Sequence, residues 1–212
     1  VSAGPTYEAI DPVRGITNLS SGKMGFAIAR AAREAGAEVT LVAGPVSLPT
    51  PRGVQRINVR SAQDMLAACM EYAQAATVFI ATAAVADWRP AQASDQKIKK
   101  DGSGATPQLD FVENPDILAT VAKTPRAAAG ALYCVGFAAE SHDLLAHATA
   151  KRARKGVPLL VGNIGPATFG QDDNALLLVD AHGAQDIPRN SKLVLARHLV
   201  TEIARRLRAT QP

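Results

Sequence analysis

Short apolar runs alternate with segments of helical period along nearly all of this 212-residue chain, and that alternation confines it to few architectures. The strand candidates, most of them apolar, are Val1-Ser2-Ala3, Glu38 to Ala43, Gln55 to Val59, Thr77 to Ala81, Leu109 to Val112, Leu132 to Phe137, Pro158 to Gly162 and Ala175 to Val179. Between them, helices are expected from Lys23 to about Ala35, Ala62 to about Ala75, Asn114 to about Lys123, His142 to Lys155 and Ser191 to Arg208. Strands that are apolar almost throughout have no face to offer water, so they argue for a parallel sheet covered on both sides. The expectation is a Rossmann-like three-layer α/β fold, with a mostly parallel sheet flanked by helices, in one domain over 1–212.

Turn chemistry punctuates the pattern. Gly4-Pro5-Thr6 ends the first strand, and residues up to Arg14 read as irregular, with Pro12 breaking any helix. Gly36 stops the first helix. The stretch Gly44 to Gly53 holds three prolines and two glycines and must be loop. Ser61 with Asp64 forms a capping-box pattern for the second helix. Ala83 to Gly104 is a long loop of the kind that is functional or mobile in compact domains.

No apolar run is long enough to cross a membrane, and no signal sequence opens the chain. The chain starts at Val1 and turns almost at once, so a start removed upstream is expected. Cys69 and Cys134 are too few for a disulfide framework or a zinc site and read as buried thiols in a reducing cytosol. The net charge of +4 and pI near 9.3 suit a nucleotide, another phosphorylated substrate or a nucleic acid.

The most informative stretch is Asn18-Leu19-Ser20-Ser21-Gly22-Lys23-Met24-Gly25. Ser20 or Ser21 is expected to cap the helix that follows, and Gly22 lets an anion approach the backbone. With the positive end of the helix, these groups suit a phosphate or carboxylate. A Walker A loop is excluded, because Thr17 and Met24 stand where glycine and Ser or Thr are needed. The dinucleotide fingerprint is only partly supplied by Gly22 and Gly25. The other special residues, Gly4 to Arg14, Ala83 to Asp87, Asn114 to Asp116 and Phe137 to Glu140, follow predicted strands, at the edge where such sheets bind ligands.

Taken together, Ala3-Gly4-Pro5-Thr6, Asp11-Pro12-Val13-Arg14, Asn18 with Ser20 to Gly25, Ala83 to Asp87, Lys97-Ile98-Lys99-Lys100, Asn114 to Ile117, Gly136 to Glu140 and Asp173-Asn174 resemble the phosphopantothenoylcysteine synthetase domain of coenzyme A biosynthesis. The likeness runs over nearly the full chain. It implies a ligase in which the carboxylate of 4′-phosphopantothenate attacks the α-phosphate of CTP, releasing pyrophosphate. The amine of cysteine then displaces CMP from the acyl-cytidylate. It further implies a Mg²⁺ requirement, a homodimer, a cytoplasmic location and a flavin decarboxylase domain fused upstream.

By that resemblance Asn18 and Lys97 are catalytic, the first orienting the substrate carboxylate and the second stabilising charge from a lid loop containing Gly102 and Gly104. Arg14, Asn18 and Ala84 would hold the acidic substrate. The nucleotide would lie against Ser20, Ser21, Gly22, Ala81, Thr82, Ala83, Asp87, Lys97, Pro115, Asp116, Ile117, Leu118, Phe137, Lys151 and Lys155. Mg²⁺ is expected on phosphates, with no dedicated ligand set assigned. A Rossmann-type NAD(P)-dependent reductase is the alternative, opposed by the broken glycine pattern and by Ala43-Gly44 where an acidic residue is needed. A basic nucleic-acid module is disfavoured, because no aromatic residues interleave with Lys151 to Lys155; no membrane association is expected.

Overall fold

The computed structural model describes residues 1–100, 102, 106–140, 142–164 and 170–209. Gly104, expected in the lid loop, lies outside the described residues. The strands are β1 (Ser2–Ala3), β2 (Tyr7–Ala9), β3 (Gly15–Thr17), β4 (Thr40–Ala43), β5 (Gln55–Asn58), β6 (Val78–Ala81), β7 (Trp88–Pro90), β8 (Phe111–Glu113), β9 (Tyr133–Glu140), β10 (Leu159–Ile164), β11 (Asp173–Val179) and β12 (Ala184–Ser191). The helices are α1 (Lys23–Glu34), α2 (Ala62–Ala73), α3 (Ile117–Ala122), α4 (Pro125–Ala128), α5 (Leu144–Lys155) and α6 (Lys192–Ala209).

One eight-stranded sheet runs β12-β11-β10-β9-β6-β1-β4-β5. From β5 through to β10 every neighbouring pair is parallel, and β11 and β12 close the other edge antiparallel. Alternate residues of each strand feed opposite cores. On one face Val42, Phe79, Cys134, Leu160 and Leu177 pack with Met65 and Cys69 of α2, Val121 of α3 and Ala148 of α5. On the other, Ile80, Val135, Leu159, Val161 and Leu178 pack with Ile28 of α1 and Leu195 and Leu199 of α6. Both faces of the same strand are therefore dry, which is why its sequence is apolar without alternation. The three-layer expectation holds.

Chain order reverses beside β1. The chain passes from β1 to β4 and β5, then crosses back to β6 on the other side of β1. The carboxyl ends of β1 and β6 therefore diverge into a crevice, the place where open α/β sheets bind ligands.

Several local readings are corrected. Residues before Arg14 are not irregular throughout, since Tyr7–Ala9 pairs antiparallel with Gly15–Thr17. Within the long loop Trp88–Pro90 is a strand, and it pairs with Phe111–Glu113, which overlaps the strand expected at Leu109 to Val112, as a second two-stranded ribbon. Both ribbons are three residues a side, too short to print a period. The edge strand β12 and the single turn α4 also escape the sequence pattern, β12 because almost all of its residues are exposed. Helix α1 is not capped by a serine. Its N-cap is Gly22 at φ +74°, with no side-chain cap bond. The α2 capping box is as expected, with Ser61 and Asp64 satisfying each other's backbone N–H groups.

Candidate functional site

Two glycines bring α1 against the sheet edge. A Cβ on Gly22 would sit 3.3 Å from the Gly4 Cα, in a backbone conformation that other residues adopt at a cost. A Cβ on Gly25 would lie 2.5 Å from both the Ala3 Cβ and the Thr82 Oγ1. Helix α1 therefore starts directly over the ends of β1 and β6. The Ser20 and Ser21 hydroxyls lie beside this start, 3.4 Å from the Gly22 N–H nitrogen and 3.5 Å from that of Lys23. Lys23 itself turns away, with its ammonium 2.8 Å from the Gly170 carbonyl and 2.7 Å from Asp172.

The segment after β6 is stitched to the loop after β1. The Ala84 N–H donates to the Gly4 carbonyl at 2.9 Å, and the Ala84 carbonyl accepts from the Thr6 N–H at 3.2 Å. The same carbonyl accepts from Asn18 Nδ2 at 2.5 Å. Asn18 Oδ1 accepts from the Ser20 N–H at 3.0 Å, which fixes which end of the amide faces which partner. One Nδ2 hydrogen is used by Ala84, so a second stays available for a ligand.

Beside Asn18 opens a cleft of about 550 Å³ lined by Ile16, Thr17, Asn18, Val85, Ala86, Asp87, Trp88 and Phe111. Asn18 and Asp87 are thus brought to one wall, together with an apolar and aromatic lining that the sequence reading did not assign. Trp88 and Phe111 belong to the β7–β8 ribbon, and its missed pairing explains why their place was missed.

The remaining nucleotide candidates gather along the same edge. Ala81 ends β6, Thr82 donates its hydroxyl to the Ser2 carbonyl, and Ala83 follows. Pro115, Asp116, Ile117 and Leu118 form the start of α3, with Ile117 and Leu118 buried and Asp116 as N-cap, accepting from the Ala119 N–H at 3.0 Å. The second oxygen of Asp116 pairs with the Lys155 ammonium. Burial lowers the Lys155 pKa, and the Asp87 charge opposes that shift, so three charged groups from α3, α5 and the β6–β7 connection share one region. Phe137 is half-buried in the parallel part of the sheet. Lys151 lies 3.8 Å from Glu140, and His147 Nδ1 lies 3.6 Å from the same carboxylate.

Arg14 reaches the peptide next to Lys97, and among the described residues no contact joins the two side chains. Asp11, whose side chain has no exposed surface, takes the Arg14 guanidinium at 2.9 Å on Nε and 2.5 Å on Nη2. Arg14 also donates to the Ile98 carbonyl at 2.8 Å. The Arg14 bond, helped by backbone N–H donors, holds the Asp11 carboxyl well below the usual carboxylate range. Lys97, next in the chain to Ile98, is exposed. Among the described residues, no three His, Cys, Asp or Glu side chains come together as a metal site. Among them also, no helix is long and apolar enough to cross a membrane.

Known proteins share this architecture. The family profile "DNA/pantothenate metabolism flavoprotein C-terminal domain" matches residues 1–207. The chain is 48% identical over 208 residues to the coenzyme A biosynthesis bifunctional protein CoaBC of Vibrio cholerae serotype O1, covering 95% of this chain. It spans about half, 51%, of that relative's length. Among solved structures, the C-terminal domain of a coenzyme A biosynthesis bifunctional protein CoaBC aligns with a TM-score of 0.82 at 36% identity, over 98% of this chain and 94% of that one. A Cab2 mutant in complex with phosphopantothenate-cysteine shares the fold, with a TM-score of 0.79 at 17% identity, over 98% and 85% of the two chains.

Proposed function

The chain belongs to the family of the DNA/pantothenate metabolism flavoprotein C-terminal domain, and from that premise we propose that it is a phosphopantothenate–cysteine ligase of coenzyme A biosynthesis. The carrying observation is the placement of Asn18. A neutral amide, clamped to Ala84 and Ser20 with one hydrogen to spare, faces a cleft at the β1–β6 switch point.

In the first step a carboxylate oxygen of 4′-phosphopantothenate attacks the α-phosphorus of CTP, and pyrophosphate leaves. In the second, the cysteine amine attacks the acyl carbon, the acyl–oxygen bond breaks, and CMP departs with that oxygen. A carboxylate is a weak nucleophile towards a polyanion, so positioning and charge neutralisation must supply most of the rate. Asn18 orients the carboxylate without protonating it. Lys97, on the loop tied to the β2–β3 hairpin through Ile98, compensates the charge on the phosphates. Lys151 and Lys155 add positive charge from α5. Arg14 and Ala84 line the approach of the acidic substrate, with Arg14 already committed to Asp11 by part of its fork.

Mg²⁺ fits this donor set only as an ion carried mainly by the triphosphate, with the exposed Asp87 as the nearest carboxylate in the cleft. It would neutralise phosphate charge. The reading also includes a homodimer: Trp88 is 58% exposed and Phe111 50%, so the apolar ribbon beside the cleft suits cover by a second copy. A flavin decarboxylase joined upstream and a cytoplasmic location complete it. The relative that the chain half-spans is bifunctional, which supports the first of these.

The test is pyrophosphate release by the purified protein with Mg²⁺, 4′-phosphopantothenate, cysteine and either CTP or ATP. Release that requires phosphopantothenate and prefers CTP supports the full reading. A preference for ATP would overturn the CTP assignment, and release by neither would overturn the ligase.

A further inference from the structure

Asp11 sits at the turn of the β2–β3 hairpin, yet all of its hydrogen-bonding capacity is directed at two places. Oδ1 accepts from the N–H groups of Val13 and Arg14 at 2.9 and 2.8 Å, which shapes the turn. Oδ2 accepts from Arg14 and, at 3.1 Å, from the Ile98 N–H, 87 residues along the chain. Arg14 Nη2 returns to the Ile98 carbonyl at 2.8 Å. Both backbone groups of Ile98 are therefore held by one ion pair, and the Ser94 N–H adds a further tie to the Ile10 carbonyl at 2.9 Å.

A turn needs no such reach. The hairpin is closed by its own backbone bonds, with Ile10 and Asp11 donating to the Arg14 carbonyl at 2.8 and 3.1 Å. The extra bonds fix only the segment that carries Lys97. A lysine on a free loop would spread its ammonium over many positions, and ordering it at the moment of reaction would cost both loop and side-chain entropy. Fixing the adjacent peptide in advance removes the loop part of that cost.

We propose that the Asp11–Arg14 pair is a clasp on the Ile98 peptide that aims Lys97 at the reacting phosphate, with Asp11 a positioning residue for the ligase reaction. The inference rests on the ligase reading and on the role assigned there to Lys97. It gives Arg14 a second duty beside substrate contact, and it explains why a carboxylate with no exposed surface stands among polar loops.

The test is a double-mutant cycle on the rate of pyrophosphate release, with thermal melting followed in parallel. Lys97→Ala is expected to slow release roughly 100-fold, and Asp11→Asn roughly 10-fold through misplacement of the lysine. In the Lys97→Ala background, with phosphopantothenate saturating so that substrate contact by Arg14 does not enter, Asp11→Asn is expected to cost nothing further, because what remains of its effect acts through a side chain no longer present. Ile98→Pro deletes the N–H that donates to Asp11 and, by fixing φ at 98, also restricts Lys97, while touching none of the hairpin's own bonds, so it is expected to repeat the same pattern even where Asp11→Asn fails to fold. Equal losses in both backgrounds, or an Ile98→Pro protein at the parent rate, overturn the clasp. A Lys97→Ala protein at the parent rate overturns the role of Lys97, which is a different failure.

Discussion

Asn18 Nδ2 lies 2.5 Å from the carbonyl oxygen of Ala84, 66 residues away, and ties the entry to α1 to the segment that leaves β6. Ala84 is itself bonded to Gly4 and Thr6, so one side chain joins the loops after β1 and β6 at the point where chain order reverses. Asn18→Asp replaces the donor with an acceptor facing a carbonyl. The expected result is a loss of roughly 100-fold in pyrophosphate release, with a stability cost of about 1–3 kcal/mol. Turnover and a denaturant midpoint on the same preparation check both.

Lys155 is held between Asp116 and the nearby Asp87 charge. Lys155→Ala removes a cation proposed to contact the nucleotide and takes away the ammonium that pairs with Asp116. The apparent KM for the nucleotide should rise roughly 10-fold, with kcat changed less, as fits a group that binds ground and transition states alike. A nucleotide titration at saturating phosphopantothenate reads this directly.

Gly25 has no room for a methyl group, since its Cβ would meet Ala3 and Thr82 at 2.5 Å. Its backbone is ordinary, so the cost of Gly25→Ala is crowding alone. The helix would have to lift from the sheet, and a loss of about 1–3 kcal/mol is expected from the shift in urea midpoint.

The Asp11 carboxyl is held below its ordinary range by Arg14 and by backbone donors. A carboxylate depressed in the folded state stabilises the fold above its unfolded pKa of about 3.9, and that contribution fades as pH falls further. Parent protein should therefore be more stable than Asp11→Asn by a constant margin from pH 5 to 8, narrowing below about pH 4. Urea midpoints across that range test the sign.

Burial raises the thiols of Cys69 and Cys134 to about 11. Neither should react with iodoacetamide in native protein at about pH 8, because the thiolate is the nucleophile. Both should react in denaturant, as counted by mass spectrometry.

The strands of the parallel sheet were legible because burial on both faces leaves continuous apolar runs such as Leu159-Leu160-Val161. The two ribbons were not, apart from the strand expected at Leu109 to Val112, which overlaps Phe111–Glu113. Trp88–Pro90 and Phe111–Glu113 are short and largely exposed, and their pairing is set by contacts across a long loop. The residues that line the cleft were legible where they formed motifs, as with Asn18 and Asp87, and hidden where the ribbon delivers them, as with Trp88 and Phe111. The serine cap was misread because Gly22 can adopt the left-handed backbone that the close approach of Gly4 requires. Asp11 was visible in its motif, but its partner at Ile98 could come only from three dimensions.

Oxygen transfer probes the proposed acyl-nucleotide intermediate. With 4′-phosphopantothenate labelled by ¹⁸O in its carboxylate, the reaction with cysteine and CTP should place one labelled oxygen in the CMP released. Label in pyrophosphate or inorganic phosphate, or none in any nucleotide product, would contradict it.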